Sequence, residues 1–176
     1  DMIAAEKNQE SADVWAMRLT LADYYYAFGK YVEAKKIYAD FFNKYKDSIP
    51  EDIKSFYTGS LYKYAQMLLY LGENEPAMQT YNRLLAIEGL DEDTKRQTTF
   101  EAAELGVRLA KDMKPGKERD ELFAKAKTRT DSLLWNLDLW FGRALVLMAH
   151  VEVINGDIAS ANKLIEGYMP QLRSIE

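Results

Sequence analysis

From Val14 to Phe28 the apolar residues Val14, Met17, Leu21, Tyr25 and Phe28 recur at steps of three and four, which places them on one stripe of an α-helix. Gly29 and Lys30 break the run, as a left-handed C-terminal cap does. The same spacing resumes with Ala34, Ile37, Tyr38, Phe41 and Phe42 and lasts to about Tyr45, so two helices joined by a short turn form an antiparallel hairpin. Ser48-Ile49-Pro50-Glu51 supplies a capping box and a first-turn proline, predicting a helix that runs to Leu71 and stops at Gly72. Ala77, Tyr81, Leu84 and Leu85 mark a short helix closed by Gly89, and Asp91 to Asp93 cap a long one reaching about Met113. After the break at Lys114-Pro115-Gly116, helices are predicted over Glu118 to Ser132, Leu134 to Asn155 and, past the turn at Gly156-Asp157, Ile158 to Tyr168. Sustained alternation of β-branched residues is missing. The pattern is therefore all-α, eight helices in four pairs.

The pairs repeat. Gly29 and Gly72 are 43 residues apart and Gly72 and Gly156 are 84 apart, twice 42. The small residues Ala22, Ala65, Gly106 and Ala149 are separated by 43, 41 and 43. A period of this size marks a solenoid, whose units cannot bury their own apolar faces and stack to do so.

The residues at these positions resemble the tetratricopeptide repeat, with Leu21, Ala22, Tyr25, Ala34 and Tyr38 in the first unit and Leu61, Tyr64, Ala65, Leu68, Ala77 and Tyr81 in the second. The third keeps Leu105, Gly106 and Leu109 but loses the alanine and aromatic of its second helix; the fourth has Leu145, Met148, Ala149, Ala161, Ile165 and Tyr168. Each unit is about eight residues longer than the usual 34. The resemblance implies a right-handed superhelical α-solenoid of about four antiparallel pairs. It would form one domain over residues 1–176, with units at about 12–47, 48–90, 91–132 and 133–170. The start at Asp1, with no basic and apolar leader after it, reads as part of a longer protein.

Composition narrows the chemistry. The chain has no cysteine and one histidine, His150. Thiolate metal sites, disulfides and cysteine nucleophiles are thus excluded, and any triad would have to be built on His150. No Gly-x-Ser-x-Gly elbow or phosphate-binding glycine loop accompanies it, and no cofactor or metal is expected. A helical enzyme around His150 remains the minor alternative to a non-catalytic chain. The net charge of −5 and pI near 5.1 oppose non-specific nucleic-acid binding, which needs a basic face. The most apolar stretch, Leu133 to Ile154, carries Asp138, Arg143, His150 and Glu152, charges unsuited to a membrane span. Cytoplasm and periplasm both fit.

The resemblance implies that the first helices of the pairs line a concave face that holds a partner. Once packing positions are subtracted, a second stripe remains: Leu19, Asp23 and Tyr26; Tyr62, Gln66, Leu69 and Tyr70; and Val146, His150 and Val153. From it come the expected partner-binding residues Leu19, Asp23, Tyr26, Tyr62, Gln66, Leu69, Tyr70 and His150. The family's basic clamp for a C-terminal carboxylate is missing from this stripe, and Asp23 has the wrong sign for it. The expected partner is a protein segment, peptide or helix, met by a tyrosine-lined groove. The alternative is a homodimer formed through the apolar cluster Trp135, Leu139, Trp140 and Phe141.

Overall fold

A computed structural model describes residues 12–46 and 51–174. Among them lie eight α-helices and no strand: α1 (Ala12–Ala27), α2 (Tyr31–Lys44), α3 (Lys54–Tyr70), α4 (Asn74–Leu85), α5 (Glu92–Lys111), α6 (Lys117–Asp131), α7 (Leu139–Ile154) and α8 (Ile158–Leu172). A short 3-10 turn, Glu51–Ile53, leads into α3. Ser48, Ile49 and Pro50 of the expected capping box lie outside the described residues. The chain divides into two compact units, Asp1–Thr80 and Tyr81–Glu176.

Three of the hairpin turns are closed in the same way. Gly29, Gly72 and Gly156 have φ of 72°, 75° and 80°, a left-handed conformation that glycine adopts without a Cβ clash. In each, the amide after the glycine reaches back to a carbonyl five residues earlier: Lys30 N to Tyr25 O at 2.8 Å, Glu73 N to Leu68 O at 2.8 Å and Asp157 N to Glu152 O at 2.9 Å. That is the Schellman cap, which satisfies the orphan carbonyls of the ending helix. Five residues after each glycine stands an alanine, Ala34, Ala77 or Ala161, and all three are buried.

In the first unit α2 packs on both α1 and α3. Tyr38, Phe41, Ala22, Ala34 and Ala65 have no exposed surface, and Trp15, Leu19, Phe42, Tyr57 and Leu61 have 4% or less. Ring contacts tie the three helices: Phe41 lies 5.4 Å from Trp15 and 5.9 Å from Tyr57, and Phe42 lies 5.2 Å from Tyr64. Two apolar stripes run along α1, and the one facing α2 is Trp15, Leu19 and Ala22. The stripe expected to pack is instead open over Met17, Leu21 and Phe28, which are 65%, 45% and 77% exposed. Spacing alone does not say which of two apolar faces meets the next helix. Ala65 is closed in on every side, so Ala65→Leu is expected to overpack the contact and cost about 1–3 kcal/mol, read as a lower urea midpoint.

In the second unit α5 pairs with α6 and α7 with α8, while α7 also packs on α5 and α6. Phe100, Ala103, Val107, Ala110, Phe123, Ala126, Leu133, Ala144 and Leu147 form the core, with Trp140, Val151 and Ile154 against it. The third hairpin turns differently. Gly116 has an extended backbone, φ 163°, and α6 begins further from its buried alanine, which is Ala126, ten residues on. Ala126, Thr130 and Leu133 then follow at steps of four and three, all buried, matching Ala34, Tyr38 and Phe41 or Ala77, Tyr81 and Leu84. The alanine expected to be lost in this unit is therefore present, displaced by a longer helix start. Thr130 replaces the aromatic and returns its hydroxyl to the Lys127 carbonyl at 2.9 Å.

The predicted helix from Leu134 starts five residues late. Asp138 caps α7 by accepting from Phe141 N at 3.0 Å, and the preceding turn is pinned by Arg96, 5% exposed. The guanidinium donates to both Asp138 oxygens, at 2.8 and 2.9 Å, and to the Leu133 carbonyl at 2.9 Å. At its other end α8 runs past the expected stop to Leu172, with Pro170 in its last turn. No helix among the described residues is long and apolar enough to cross a membrane.

Candidate partner-binding face

On the first unit the second stripe of α1 and α3 divides into a closed part and an open part. Leu19 is 4% exposed and belongs to the core; its place among the contact residues is corrected, because α1 turns this side toward its neighbours. Asp23 is partly open and already engaged, accepting from the Tyr38 hydroxyl and from Lys63 Nζ, both at 2.5 Å. Lys35 and Glu73 make a second ion pair at 2.5 Å. The charges on this side are thus matched in place. Burial, then the hydrogen bond to the Asp23 carboxylate, pushes the Tyr38 hydroxyl well above its usual range, so it stays a donor.

Tyr26 and Tyr70 come together. Their ring centres are 6.2 Å apart, and both meet Tyr31, which stacks on Tyr70 at 4.9 Å with the planes 1° from parallel. Burial, then the neighbouring Tyr70 and Tyr31, raises the Tyr26 hydroxyl above its ordinary range. Gln66 Nε2 donates to the Tyr62 hydroxyl at 3.1 Å, one turn apart on α3. Tyr62, Gln66 and Leu69 are half-buried and Tyr70 is 62% exposed. The arrangement is a ledge of rings held edge-on and stacked, with hydroxyls and one amide at its margin. Such groups present large contact area with few rotors to freeze.

Sequence spacing did not reveal Tyr31 or Lys63. Tyr31 opens α2 just past the turn glycine, outside any first-helix stripe, and the Schellman reversal brings it to Tyr70. The signal for Lys63 was the pairing of its charge with Asp23, 40 residues earlier.

On the second unit His150 is exposed on α7. It lines a groove of about 750 Å³ together with Phe100, Glu104, Arg143 and Val146. Arg143 lies 4.7 Å above the Phe100 ring and 5.3 Å above Trp140, a stacked guanidinium that stiffens one wall. No group of three histidine or carboxylate side chains able to hold a metal occurs among the described residues. The apolar cluster expected on one helix is split by the late start of α7. Trp135 sits in the preceding turn and is 87% exposed, Leu139 is 67% exposed, Trp140 packs on Phe100 at 5.7 Å, and Phe141 is buried.

Comparison with curated proteins gave no match. Residues 16–48 and 60–87 each match the family model of the tetratricopeptide repeat. The first span holds α2 and most of α1, the second most of α3 and all of α4, and the buried Ala22, Ala34, Tyr38, Ala65, Ala77 and Tyr81 fall within them. The chain therefore carries two matches to the tetratricopeptide repeat, both in its first half.

Proposed function

We propose that this chain is a non-catalytic scaffold that holds an extended or helical segment of a partner protein against the tyrosine ledge of α1 and α3. Tetratricopeptide repeats generally mediate protein–protein interaction. The observation that carries the finer reading is the cluster Tyr26, Tyr31 and Tyr70, continued along α3 by Tyr62, Gln66 and Leu69. Interface hot spots are enriched in such partly desolvated aromatics. Asp23 is neutralised by Lys63 and Lys35 by Glu73, so this side suits apolar and aromatic partner side chains better than a free carboxylate.

Tyr62→Ala combined with Tyr70→Ala is expected to shift thermal unfolding by only a few degrees, since the two rings are half-buried and exposed, while removing two contact anchors. Hot-spot truncations cost about 2 kcal/mol or more each, so binding of a partner isolated with the intact chain should weaken at least tenfold in surface plasmon resonance. Unchanged affinity in the folded double variant would place the binding surface elsewhere.

A further inference from the structure

One place in the repeat is filled by rings in the first unit and left open in the second. In the first unit the Tyr38 hydroxyl donates to Asp23, which also accepts from Lys63, and the Tyr38 ring lies 6.1 Å from Tyr64. The repeat carries Asp23, Tyr38, Lys63 and Tyr64 to Val107, Thr130, Leu147 and Met148. The alanines set that register: Ala22 corresponds to Gly106, Ala34 to Ala126 and Ala65 to Ala149. Two rings, a carboxylate and an ammonium group thus give way to four smaller or apolar side chains. The lost volume is not taken up, because all four line a cavity of about 380 Å³. Its walls come from α5, α6, α7 and α8, so every side of it belongs to the unit itself. On α8, Gly167 lines it where α4 has Arg83, and a Cβ added there would meet nothing within 4 Å.

Protein interiors pack with few voids larger than a water molecule, so a space of this size is open to an occupant. Its inner surface is apolar. Val107, Thr130 and Leu147 are 3%, 1% and 7% exposed, and the Thr130 hydroxyl is committed to the Lys127 and Ala126 carbonyls at 2.9 and 3.1 Å. No side-chain donor is left free there. Charge gathers at the rim instead, where Lys127 and Lys163 are exposed and Glu152 is half-buried. In the first unit Lys35, the counterpart of Lys127, is paired with Glu73 at 2.5 Å. The counterpart of Glu73 is Asp157, a shorter side chain held by the Ser160 amide and hydroxyl at 2.9 and 2.7 Å. Among the described residues neither rim lysine is ion-paired, nor is Glu152. Two ammonium groups against one carboxylate leave the rim with one positive charge in excess.

We propose that this cavity binds a small aromatic carboxylate, its ring in the space that Tyr38 and Tyr64 fill in the first unit and its carboxylate between Lys127 and Lys163. A ring is the occupant because the same helix geometry holds rings at this place in the other unit. A single carboxylate neutralises the excess charge of the rim, through the stronger, charge-assisted kind of hydrogen bond. The volume falls at the low end of the range of small-molecule sites, ~300–1,000 Å³. The site lies in the second unit and needs nothing from the tyrosine ledge of the first.

The test is isothermal titration calorimetry with indole-3-propionate. It is run on the 176-residue chain, on Thr130→Phe, and on Lys127→Ala combined with Lys163→Ala. Thr130→Phe returns a ring to the place of Tyr38 without a hydroxyl that would lack its Asp23. Circular dichroism checks that each variant keeps its helices, and Gly167→Leu, which fills the cavity from α8, replaces Thr130→Phe if that variant does not. The intact chain should bind one molecule of the probe, the filled variant none, and the lysine variant should bind at least tenfold more weakly. Decanoate, which carries the same charge without a ring, should also bind the intact chain at least tenfold more weakly. An intact chain that gives no binding heat with millimolar probe overturns the proposal. So does unchanged affinity in the filled variant or the lysine variant, or decanoate binding as tightly as the aromatic probe.

Discussion

Asp138→Ala should lower the free energy of unfolding by about 3–5 kcal/mol, the usual cost of leaving one member of a buried ion pair without its partner. The size follows from the asymmetry of the pair. The Arg96 side chain is 6% exposed, against 37% for Asp138, so the guanidinium is the group that water cannot reach once the carboxylate is gone. The same substitution removes the cap on Phe141 N, a loss of about 1 kcal/mol within that range. Asp138→Asn, which keeps an acceptor for the cap, should cost less, and adding Arg96→Met to Asp138→Ala should recover part of the loss by removing the stranded charge. Urea titrations followed by circular dichroism rank the four proteins; equal midpoints for Asp138→Ala and the intact chain would remove Arg96 from its role as the clip that starts α7.

Acid should act through the same group. Burial pushes the Asp138 carboxyl up, but Arg96 and the amides of Phe141 and Trp140 outweigh it, and the net position lies below the usual carboxylate range. A carboxyl lowered on folding stabilises the folded chain above its unfolded pKa, and that contribution fades as pH falls through the folded one. The difference between the intact chain and Asp138→Ala should therefore be full at pH 7 and shrink below about pH 4.

Phe41→Ala is expected to cost about 3–5 kcal/mol, the range for truncating a buried phenylalanine. Phe41 has no exposed surface and touches four rings, Trp15, Phe42, Tyr45 and Tyr57, with centres 5.2 to 5.9 Å away. These neighbours come from α1, α2 and α3, so a cavity there loosens the whole first unit rather than one helix. Phe41→Leu should restore most of the loss. Trp15 fluorescence reports the change directly, because its ring lies 5.4 Å from Phe41.

The parts of the fold that sequence revealed are those fixed by local chemistry. Gly29, Gly72 and Gly156 announce their turns because a left-handed residue is needed to reverse the chain, and the buried alanine five residues later follows from the same geometry. Asp91 likewise caps α5 as expected, accepting from Thr94 N at 2.8 Å. What stayed hidden depends on tertiary partners. Gly116 looks like the other turn glycines, yet it is extended, and the added length of α6 moved the packing alanine to Ala126. Leu134, Trp135 and Leu137 read as helix because they are apolar, while the groups holding them in a turn, Arg96 and Asp138, are 42 residues apart in sequence. Along α1 both stripes are apolar, so Leu19 and Met17 exchanged roles between expectation and structure. The tyrosine ledge was half legible: Tyr26 and Tyr70 share a stripe pattern, whereas Tyr31 reaches them only because the chain turns at Gly29.

The scaffold reading is tested most directly by photo-cross-linking from a defined side of the first unit. A benzophenone amino acid is placed at Tyr70, on the ledge, and in a second protein at Lys36, exposed on α2, and each is irradiated in extract of the source cells before mass spectrometry. The account predicts one protein captured from position 70 and lost on Tyr62→Ala, with no such product from position 36. The same product from both positions, or one formed only at 36, would contradict it.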